Sequence, residues 1–212
     1  MSLVLPGPYN GLRIGLLGGT FNPAHSGHRH IALLAMQHLN LDWVWWIPAA
    51  GNPLKQEEAP FEARFASVKR MAQHPRMRVT DLERQLGTRY TYDTLRALLP
   101  RVKGGEFIWL MGADNLRHFH RWGNWDKLAN LVPIAVIARP GDARFARLSK
   151  FAQRFSWCRL APADAPAFHR FMPPVWTYLP TPLHTASSTQ IRAQAYQRNP
   201  FRQAISNPAA KN

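Results

Sequence analysis

The sequence contains a single cysteine, Cys158, among its 212 residues. An intrachain disulfide is therefore impossible, and this composition favours a reducing compartment such as the cytoplasm. The sequence also lacks any run of about 18 apolar residues, so it predicts no membrane-spanning helix. Residues 1–10 carry no basic residue ahead of their apolar stretch, which Pro6 and Pro8 interrupt, so they do not resemble a secretion signal. We expect a cytoplasmic protein that does not span a membrane.

Acidic residues are scarce, because 12 Asp and Glu stand against 27 Lys and Arg and give a formal net charge of +15. A charge of this sign attracts phosphate-rich ligands, either nucleic acid or small anionic nucleotides. The basic residues are scattered, and no block of about five or six like charges occurs. Aromatic and basic residues do alternate over residues 117–122, which suits stacking on nucleic-acid bases. Composition alone leaves both kinds of ligand open.

Short apolar runs alternate along the chain with stretches of helical periodicity. With 46% hydrophobic residues, the chain can form one sizeable core. The alternation predicts an α/β fold, a Rossmann-like doubly wound parallel sheet of about five to six strands with flanking helices. The predicted strands cover residues 13–17, 43–47, 77–80, 107–111, 134–138 and 175–179, and the predicted helices cover 27–39, 61–73, 91–99 and 188–197. We expect a single domain over residues 11–198, a flexible lead-in over 1–10 and a flexible tail over 199–212.

The first predicted strand runs into the segment 18–28, GGTFNPAHSGH. Ligands of open α/β sheets bind beyond the carboxyl ends of strands, and phosphates bind at helix N-termini, where backbone N–H groups are available. Gly18 and Gly19 allow the backbone to approach a phosphate closely. His25 and His28, at the start of the next helix, can donate hydrogen bonds to phosphate oxygens. The segment therefore predicts a phosphate-binding site.

Other patterns fit this segment less well. It has neither the Gly-x-x-x-x-Gly-Lys-Ser/Thr order of the P-loop nor the Gly-x-Gly-x-x-Gly order of dinucleotide-binding folds. His25, His28 and His30 would also suit a metal ion, but no His-Glu-x-x-His motif or cysteine partner accompanies them. A purely structural role for His25 and His28, as caps of the helix, stays open.

A second anion-binding pattern lies far along the chain, at Ser187-Ser188-Thr189-Gln190-Ile191-Arg192. Ser and Thr at the start of a helix are ordinary N-caps. Arg192 lies about one turn into the predicted helix, where its guanidinium can bond phosphate oxygens near the same terminus. Two phosphate-binding segments suit a fold in which the last helix returns beside the first.

The two patterns resemble those of the adenylyl- and cytidylyltransferases with a Rossmann-like fold. Segment 19–28 is similar to their Gly-x-Phe-x-Pro-x-His-x-Gly-His signature, and segment 186–192 to their Ile-Ser-Ser-Thr-x-Ile-Arg signature, with Ala186 in place of the leading Ile. The resemblance implies that His25 and His28 contact the triphosphate of ATP. The other residues that it places at ATP are Gly18, Gly19, Thr20, Phe21, Ser187, Ser188, Thr189 and Arg192.

The residues between the motifs resemble bacterial nicotinate-nucleotide adenylyltransferases in particular. Segment 90–95 is similar to their Ser-Tyr-Thr-x-Asp-Thr-Leu stretch, and segment 107–114 to their strand ending in Gly-Ala-Asp. Arg121-Trp122 is similar to their Lys-Trp pair, and segment 139–141 to their Arg-Pro-Gly. The resemblance covers about residues 13–197, in the same order along the chain, and is weakest over 142–181.

The resemblance also assigns residues to the acceptor substrate. Thr91 would lie where backbone N–H groups meet the nicotinate carboxylate. Asp114 would accept hydrogen bonds from ribose hydroxyls, or would cap a helix. Trp122 would stack on the pyridine ring, or would pack in the core. Lys55 matches the lysine of the family's Pro-x-His-Lys stretch and would neutralise phosphate, although Leu54 replaces the histidine.

The resemblance implies adenylyl transfer from ATP to nicotinate mononucleotide, giving nicotinate adenine dinucleotide (deamido-NAD) and pyrophosphate in NAD biosynthesis. Catalysis is expected to rest on His25, His28, Lys55 and Arg192. Mg²⁺ would be bound mainly through the ATP phosphates, and we predict no metal-ligating residue.

Several alternatives stay open at the level of the sequence. Nicotinamide mononucleotide and phosphopantetheine are alternative acceptors for the same chemistry. From other classes, the alternatives are a non-catalytic nucleotide sensor and a basic nucleic-acid-binding module, although none of the usual nucleic-acid recognition motifs is present. The sequence specifies no oligomeric state.

Overall fold

The computed structural model describes residues 3–51, 59–138, 148–180 and 188–197. The strands are β1 (Arg13–Gly19), β2 (Trp43–Pro48), β3 (Met77–Val79), β4 (Glu106–Gly112), β5 (Ile134–Ile137), β6 (Arg159–Leu160) and β7 (Trp176–Leu179). The α-helices are α1 (Ser26–His38), α2 (Phe61–Met71), α3 (Leu82–Leu86), α4 (Thr91–Leu98), α5 (Ala113–His118), α6 (Trp125–Ala129), α7 (Lys150–Arg154) and α8 (Ser188–Gln197). Short 3₁₀ helices cover Leu99–Arg101, Phe119–Arg121, Ser156–Cys158 and Pro162–Arg170.

The strands form one parallel sheet in the order β3-β2-β1-β4-β5-β7-β6. The chain first moves outward from β1 to β3 and then places β4 on the other side of β1, so the strand order reverses between β1 and β4. In doubly wound sheets, ligands bind beyond the carboxyl ends of the strands at such a switch point. The topology therefore predicts a ligand-binding site beyond the carboxyl ends of β1 and β4.

Helices cover both faces of the sheet, and the strands are accordingly buried on both sides. Successive side chains on a strand point to opposite faces. Trp45 belongs to the core that contains Leu95 of α4 and Phe151 of α7. Trp46 belongs to the core that contains Ile31 of α1 and Val68 of α2. This burial on two sides makes the sheet a firm support for the loops at its carboxyl end.

The predicted Rossmann-like doubly wound parallel sheet with flanking helices is confirmed. All six predicted strands are present, with small shifts at their ends. The structure adds β6 (Arg159–Leu160), so the prediction of about five to six strands was one strand short. A strand of two residues between two 3₁₀ helices has no alternation that a sequence pattern could reveal. No helix in the described part of the chain is long and apolar enough to cross a membrane.

Residues 3–10 lie against the domain, and the flexibility of the lead-in over residues 1–10 stays a prediction. Leu3, Leu5 and Tyr9 pack against the same core as Trp45. The backbone N–H of Val4 also donates to the Gln85 side chain at 2.8 Å. Pro6 and Pro8 interrupt the apolar residues of this segment, so no sequence pattern indicated that these residues contact the core. Residues 199–212 lie outside the described residues, and the domain limits of 11–198 stay a prediction.

Candidate active site

The turn after β1 is shaped by tight packing of aromatic rings. A Cβ atom at Gly18 would overlap the indole of Trp109 on the neighbouring strand β4. Phe21 adopts a left-handed φ of 51°, which is unusual for a bulky residue. Its ring is only 2% exposed. It packs edge-on against His28, with 4.9 Å between the ring centroids, and at a tilt against Trp46, with 5.5 Å between the centroids. Burial of this ring offsets the unfavourable backbone conformation and holds the turn in place.

Helix α1 begins with two histidines that cap it reciprocally. His25 is the N-cap residue, and its Nδ1 accepts a hydrogen bond from the Gly27 N–H at 3.1 Å. The Nδ1 of His28 accepts a hydrogen bond from the His25 N–H at 3.2 Å. An imidazole whose Nδ1 accepts carries its proton on Nε2, and this network assigns that tautomer to both rings. Both histidines line the cavity described below. Capping uses the Nδ1 atoms, so it is compatible with phosphate binding through the same rings, which stays a prediction.

Helix α8 brings the second motif against the first one, although the two are 165 positions apart in sequence. The Ser188 hydroxyl donates to the Pro23 carbonyl at 3.0 Å. The Arg192 guanidinium donates through Nη1 to the Asn22 carbonyl at 2.6 Å and through Nη2 to the Thr189 hydroxyl at 3.3 Å. The structure therefore joins the two predicted phosphate-binding segments directly, through the side chains of the second motif.

One cavity of about 520 Å³ lies beyond the carboxyl ends of β1 and β4. Its volume is in the usual range for sites that bind small molecules. The predicted site residues that line it are Gly18, Gly19, Thr20, Phe21, His25, His28, Thr91, Asp114, Trp122, Ser188, Thr189 and Arg192. Lys55 and Ser187 lie outside the described residues, as do Leu54, Ala186 and residues 139–141. Their roles stay predictions.

Two of the predicted acceptor-binding residues reach the cavity from the first turns of helices. Thr91 is the first residue of α4, and the N-cap residue Tyr90 makes no side-chain hydrogen bond to that turn. Asp114 is the second residue of α5, whose N-cap is Gly112. The alternative that Asp114 is a helix N-cap is therefore excluded, and its carboxylate lies at the cavity wall.

The basic and aromatic segment 117–122 is folded into the domain. Phe119 is fully buried in the core. Trp122 is half-buried and packs edge-to-face with Trp109, with 6.3 Å between the ring centroids. His118 and Arg121 line the cavity. Trp122 thus packs against the core and also lines the cavity, and its stacking on a pyridine ring stays a prediction. The buried Phe119 offers no ring face to nucleic acid.

A buried arginine that the sequence analysis did not single out ties together the loops around the cavity. Arg64 of α2 is 2% exposed. Its Nη1 donates to the carbonyls of Thr20 and Ala49, both at 2.8 Å, and its Nε donates to the Ala59 carbonyl at 3.0 Å. The arginine thereby joins the turn after β1 to the loop after β2. In the sequence it is one of many basic residues on helices, and nothing in the local pattern distinguishes it.

A buried carboxylate at the cavity wall was also missed. Glu83 of α3 is 6% exposed, and its Oε2 accepts a hydrogen bond from the Ala50 N–H at 2.9 Å. Burial raises the pKa of Glu83 to about 7, against the opposing effects of the Ala50 hydrogen bond and the positive charge of Arg64. Helix α3 has only five residues, so its periodicity could not indicate that this side chain points inward.

Comparisons with known proteins agree with this geometry. Residues 16–194 match the profile of the cytidylyltransferase-like family, the class to which the sheet and the two motifs point. The chain is 48% identical over 181 residues to a probable nicotinate-nucleotide adenylyltransferase of Cereibacter sphaeroides, covering 85% of this chain and 96% of the relative. It is 45% identical over 185 residues to a protein of the same name from Methylorubrum extorquens, covering 86% and 100%. The chain therefore belongs to the cytidylyltransferase-like family and, within it, to the nicotinate-nucleotide adenylyltransferases.

Solved structures support the fold. The nicotinic acid mononucleotide adenylyltransferase of Plasmodium falciparum complexed with NaAD is similar, with a TM-score of 0.66, 15% identity, and coverage of 91% of this chain and 88% of that chain. The same protein complexed with APC gives a TM-score of 0.62 at 16% identity, covering 86% and 83%. At this level of identity the likeness shows the fold, whereas the family membership rests on the sequence relatives.

Proposed function

We propose that the protein transfers the adenylyl group of ATP to nicotinate mononucleotide, which yields nicotinate adenine dinucleotide and pyrophosphate and is a step of NAD biosynthesis. The observation that carries the proposal is the meeting of two anion-binding motifs at one cavity, at the switch point of the sheet. The family membership supports the same reaction, since the relatives bear its name over most of this chain.

The reaction requires two phosphates to meet in line. An oxygen of the acceptor phosphate attacks the α-phosphorus of ATP and forms a new P–O bond. The bond from the α-phosphorus to the oxygen that bridges it to the β-phosphate breaks, and pyrophosphate leaves with the electron pair. Because a phosphate dianion is already a competent nucleophile, the step needs no general base. Catalysis therefore depends on positioning and on stabilising the charge that develops on the leaving pyrophosphate.

The two motifs supply donors suited to that charge. His25 and His28 each carry a proton on Nε2, because their Nδ1 atoms accept hydrogen bonds within the first turn of α1. Arg192 has five N–H donors, and the contacts with Asn22 and Thr189 orient its guanidinium at the cavity. We propose that these three side chains bind the triphosphate. Lys55, which lies outside the described residues, stays a predicted contributor.

The acceptor is bound, in this proposal, by the part of the cavity that α4 and α5 line. The first turn of α4 offers backbone N–H groups and the positive end of a helix dipole, which suit the nicotinate carboxylate. Because both side chains line this cavity, we propose that Asp114 accepts hydrogen bonds from ribose hydroxyls and that Trp122 contacts the pyridine ring. Arg89 and Arg121 add positive charge to the same cavity and favour an acceptor that carries both a phosphate and a carboxylate.

Magnesium is the expected cofactor of this chemistry. Among residues 3–51, 59–138, 148–180 and 188–197, no group of three or more His, Cys, Asp or Glu side chains is placed to hold a metal ion. Mg²⁺ in phosphoryl-transfer sites commonly takes most of its ligands from substrate phosphates and water. We therefore propose that it is held by the ATP phosphates, where it neutralises part of their charge, and we assign it no protein ligand.

Pyrophosphate release in the presence of ATP and Mg²⁺ tests the reaction and the choice of acceptor. We expect kcat/KM with nicotinate mononucleotide to exceed that with nicotinamide mononucleotide by about tenfold or more, because the amide forgoes hydrogen bonds to a charged group. Equal or faster release with the amide would contradict the preference for a carboxylate. Release that depends only on phosphopantetheine would assign the chain a different acceptor.

The expected cytoplasmic location rests on the single cysteine and stays a prediction.

A further inference from the structure

A buried arginine and a buried glutamate hold the segment that leaves β2. The carbonyl of Ala49 accepts a hydrogen bond from Arg64 at 2.8 Å, and the N–H of the next residue, Ala50, donates to Glu83 at 2.9 Å. Arg64 lies on α2 and Glu83 on α3, so the backbone is held between two helices. Both side chains are more than nine-tenths buried. Buried charged groups that bond backbone atoms in this way fix the position of the backbone.

The same contacts extend to the first motif. Arg64 also donates to the carbonyl of Thr20, directly before Phe21. One turn along α2, the Ser67 hydroxyl accepts a hydrogen bond from the Ala24 N–H at 3.0 Å and donates to the Arg64 carbonyl at 2.6 Å. A displacement of the segment 49–51 would therefore disturb the turn that leads to the two histidines.

We propose that Glu83 is a positioning residue, which sets the cavity wall at Ala49, Ala50 and Gly51 and whose negative charge, when present, opposes the binding of the anionic substrates. The inference rests on the proposed function, because the ligands concerned are ATP and nicotinate mononucleotide. The residue acts through the backbone of Ala50 and through its charge, without taking part in bond making or breaking.

The protonation of Glu83 changes within the working range of pH. Burial raises its pKa from an ordinary 4.5 to about 7, and Arg64 is the charged side chain that opposes this shift. Other charged or titratable groups line the same cavity: His25, His28, Arg89, Asp114, His118, Arg121 and Arg192. A bound polyphosphate adds negative charge and raises the pKa of Glu83 further. Above neutral pH, substrate binding must therefore either take up a proton or act against the carboxylate charge.

The kinetic test compares three variants between about pH 6 and pH 8.5, a range that spans the titration of Glu83. Glu83→Gln can still accept the Ala50 hydrogen bond but does not titrate. Glu83→Ala cannot accept this hydrogen bond and does not titrate either. Glu106→Gln, on an exposed side chain at the opposite end of β4, is the control for the change of charge. The substrates titrate in the same way with every variant, so their contribution cancels in the ratio of variant to wild-type KM at each pH.

The expected results separate the hydrogen bond from the charge. Wild-type KM should rise with pH up to about tenfold more than KM of Glu83→Gln, since one pKa unit corresponds to a factor of ten. Glu83→Ala should have a KM about tenfold above that of Glu83→Gln at every pH, with a smaller change in kcat, because the Ala50 N–H loses its partner. Glu106→Gln should follow the wild type. A Glu83→Gln variant that keeps the wild-type rise, or a Glu83→Ala variant with the KM of Glu83→Gln, would overturn the proposal.

Thermal unfolding without substrates tests the same group independently of activity. Because the folded-state pKa of Glu83 lies above its unfolded value, its stabilising effect is complete below about pH 4.5 and is lost as pH rises to about 7. Glu83→Gln lacks this loss. Its Tm relative to the wild type should therefore rise by several degrees between about pH 5 and pH 8. A constant difference would overturn the proposal even in an active enzyme, whereas a wrong assignment of the reaction would leave this result in place.

Discussion

Replacing His25 with asparagine is expected to lower kcat by about 100- to 1,000-fold, the usual effect of losing one transition-state donor. Asparagine is a good N-cap residue, so it can replace the Nδ1 atom that accepts from the Gly27 N–H. It has no group in place of the Nε2–H. The variant should therefore keep α1 capped and the protein folded, while the donor to the triphosphate is lost.

Steady-state pyrophosphate release and thermal unfolding together measure the two effects. His25→Ala should show a similar loss of kcat together with a lower Tm, since removing an N-cap destabilises a protein by about 1 kcal/mol. His38→Ala, in the last turn of the same helix, should leave kcat near the wild-type value. Wild-type turnover in His25→Asn would show that the histidine serves α1 as a cap and nothing more.

Replacing Arg192 with lysine is expected to lower kcat/KM for ATP by about 10- to 100-fold, although the positive charge is kept. The planar guanidinium bonds the Asn22 carbonyl and the Thr189 hydroxyl at once, which fixes its direction at the junction of the two motifs. A lysine ammonium is a flexible point charge without this fork, so it cannot make both contacts and hold the same orientation toward phosphate.

Arg192→Gln and Arg154→Lys complete this comparison. The glutamine variant removes the charge and should lose more activity than the lysine variant. Arg154, an exposed residue of α7, is outside the cavity, and its replacement by lysine should change neither kcat nor KM. Full activity of Arg192→Lys would mean that charge alone is sufficient and that the observed contacts with Asn22 and Thr189 do not matter for ATP.

The sheet and the two motifs could be predicted because their signals are local. Buried parallel strands are continuous apolar runs, and six of them were visible between helical stretches. The segment around Gly18 and His25 stands where a strand ends and a helix begins, a position that favours phosphate binding in this fold. Its pairing with Ser188 and Arg192 could be predicted because both segments carry phosphate-binding groups, and two such segments bind one ligand only when they lie close together.

The rest of the site depends on contacts between distant segments. No sequence pattern states that the Nδ1 atoms of His25 and His28 both accept hydrogen bonds, which decides where their protons lie. Arg64 and Glu83 are ordinary charged residues of short or amphipathic helices, and only the tertiary fold buries them. The contact of residues 3–10 with the core was hidden for the same reason, because a few apolar residues between prolines have no periodicity.

The destination of the α-phosphate of ATP tests the central claim most directly. The wild-type protein would be incubated with Mg²⁺, nicotinate mononucleotide and ATP labelled at the α-phosphorus, and the products separated by chromatography. The account predicts that the label appears in a dinucleotide, in equal amount to the pyrophosphate released, and only when the acceptor is present. Label that appears in AMP without an acceptor, or in ADP because the γ-phosphate is transferred instead, would contradict adenylyl transfer at this site.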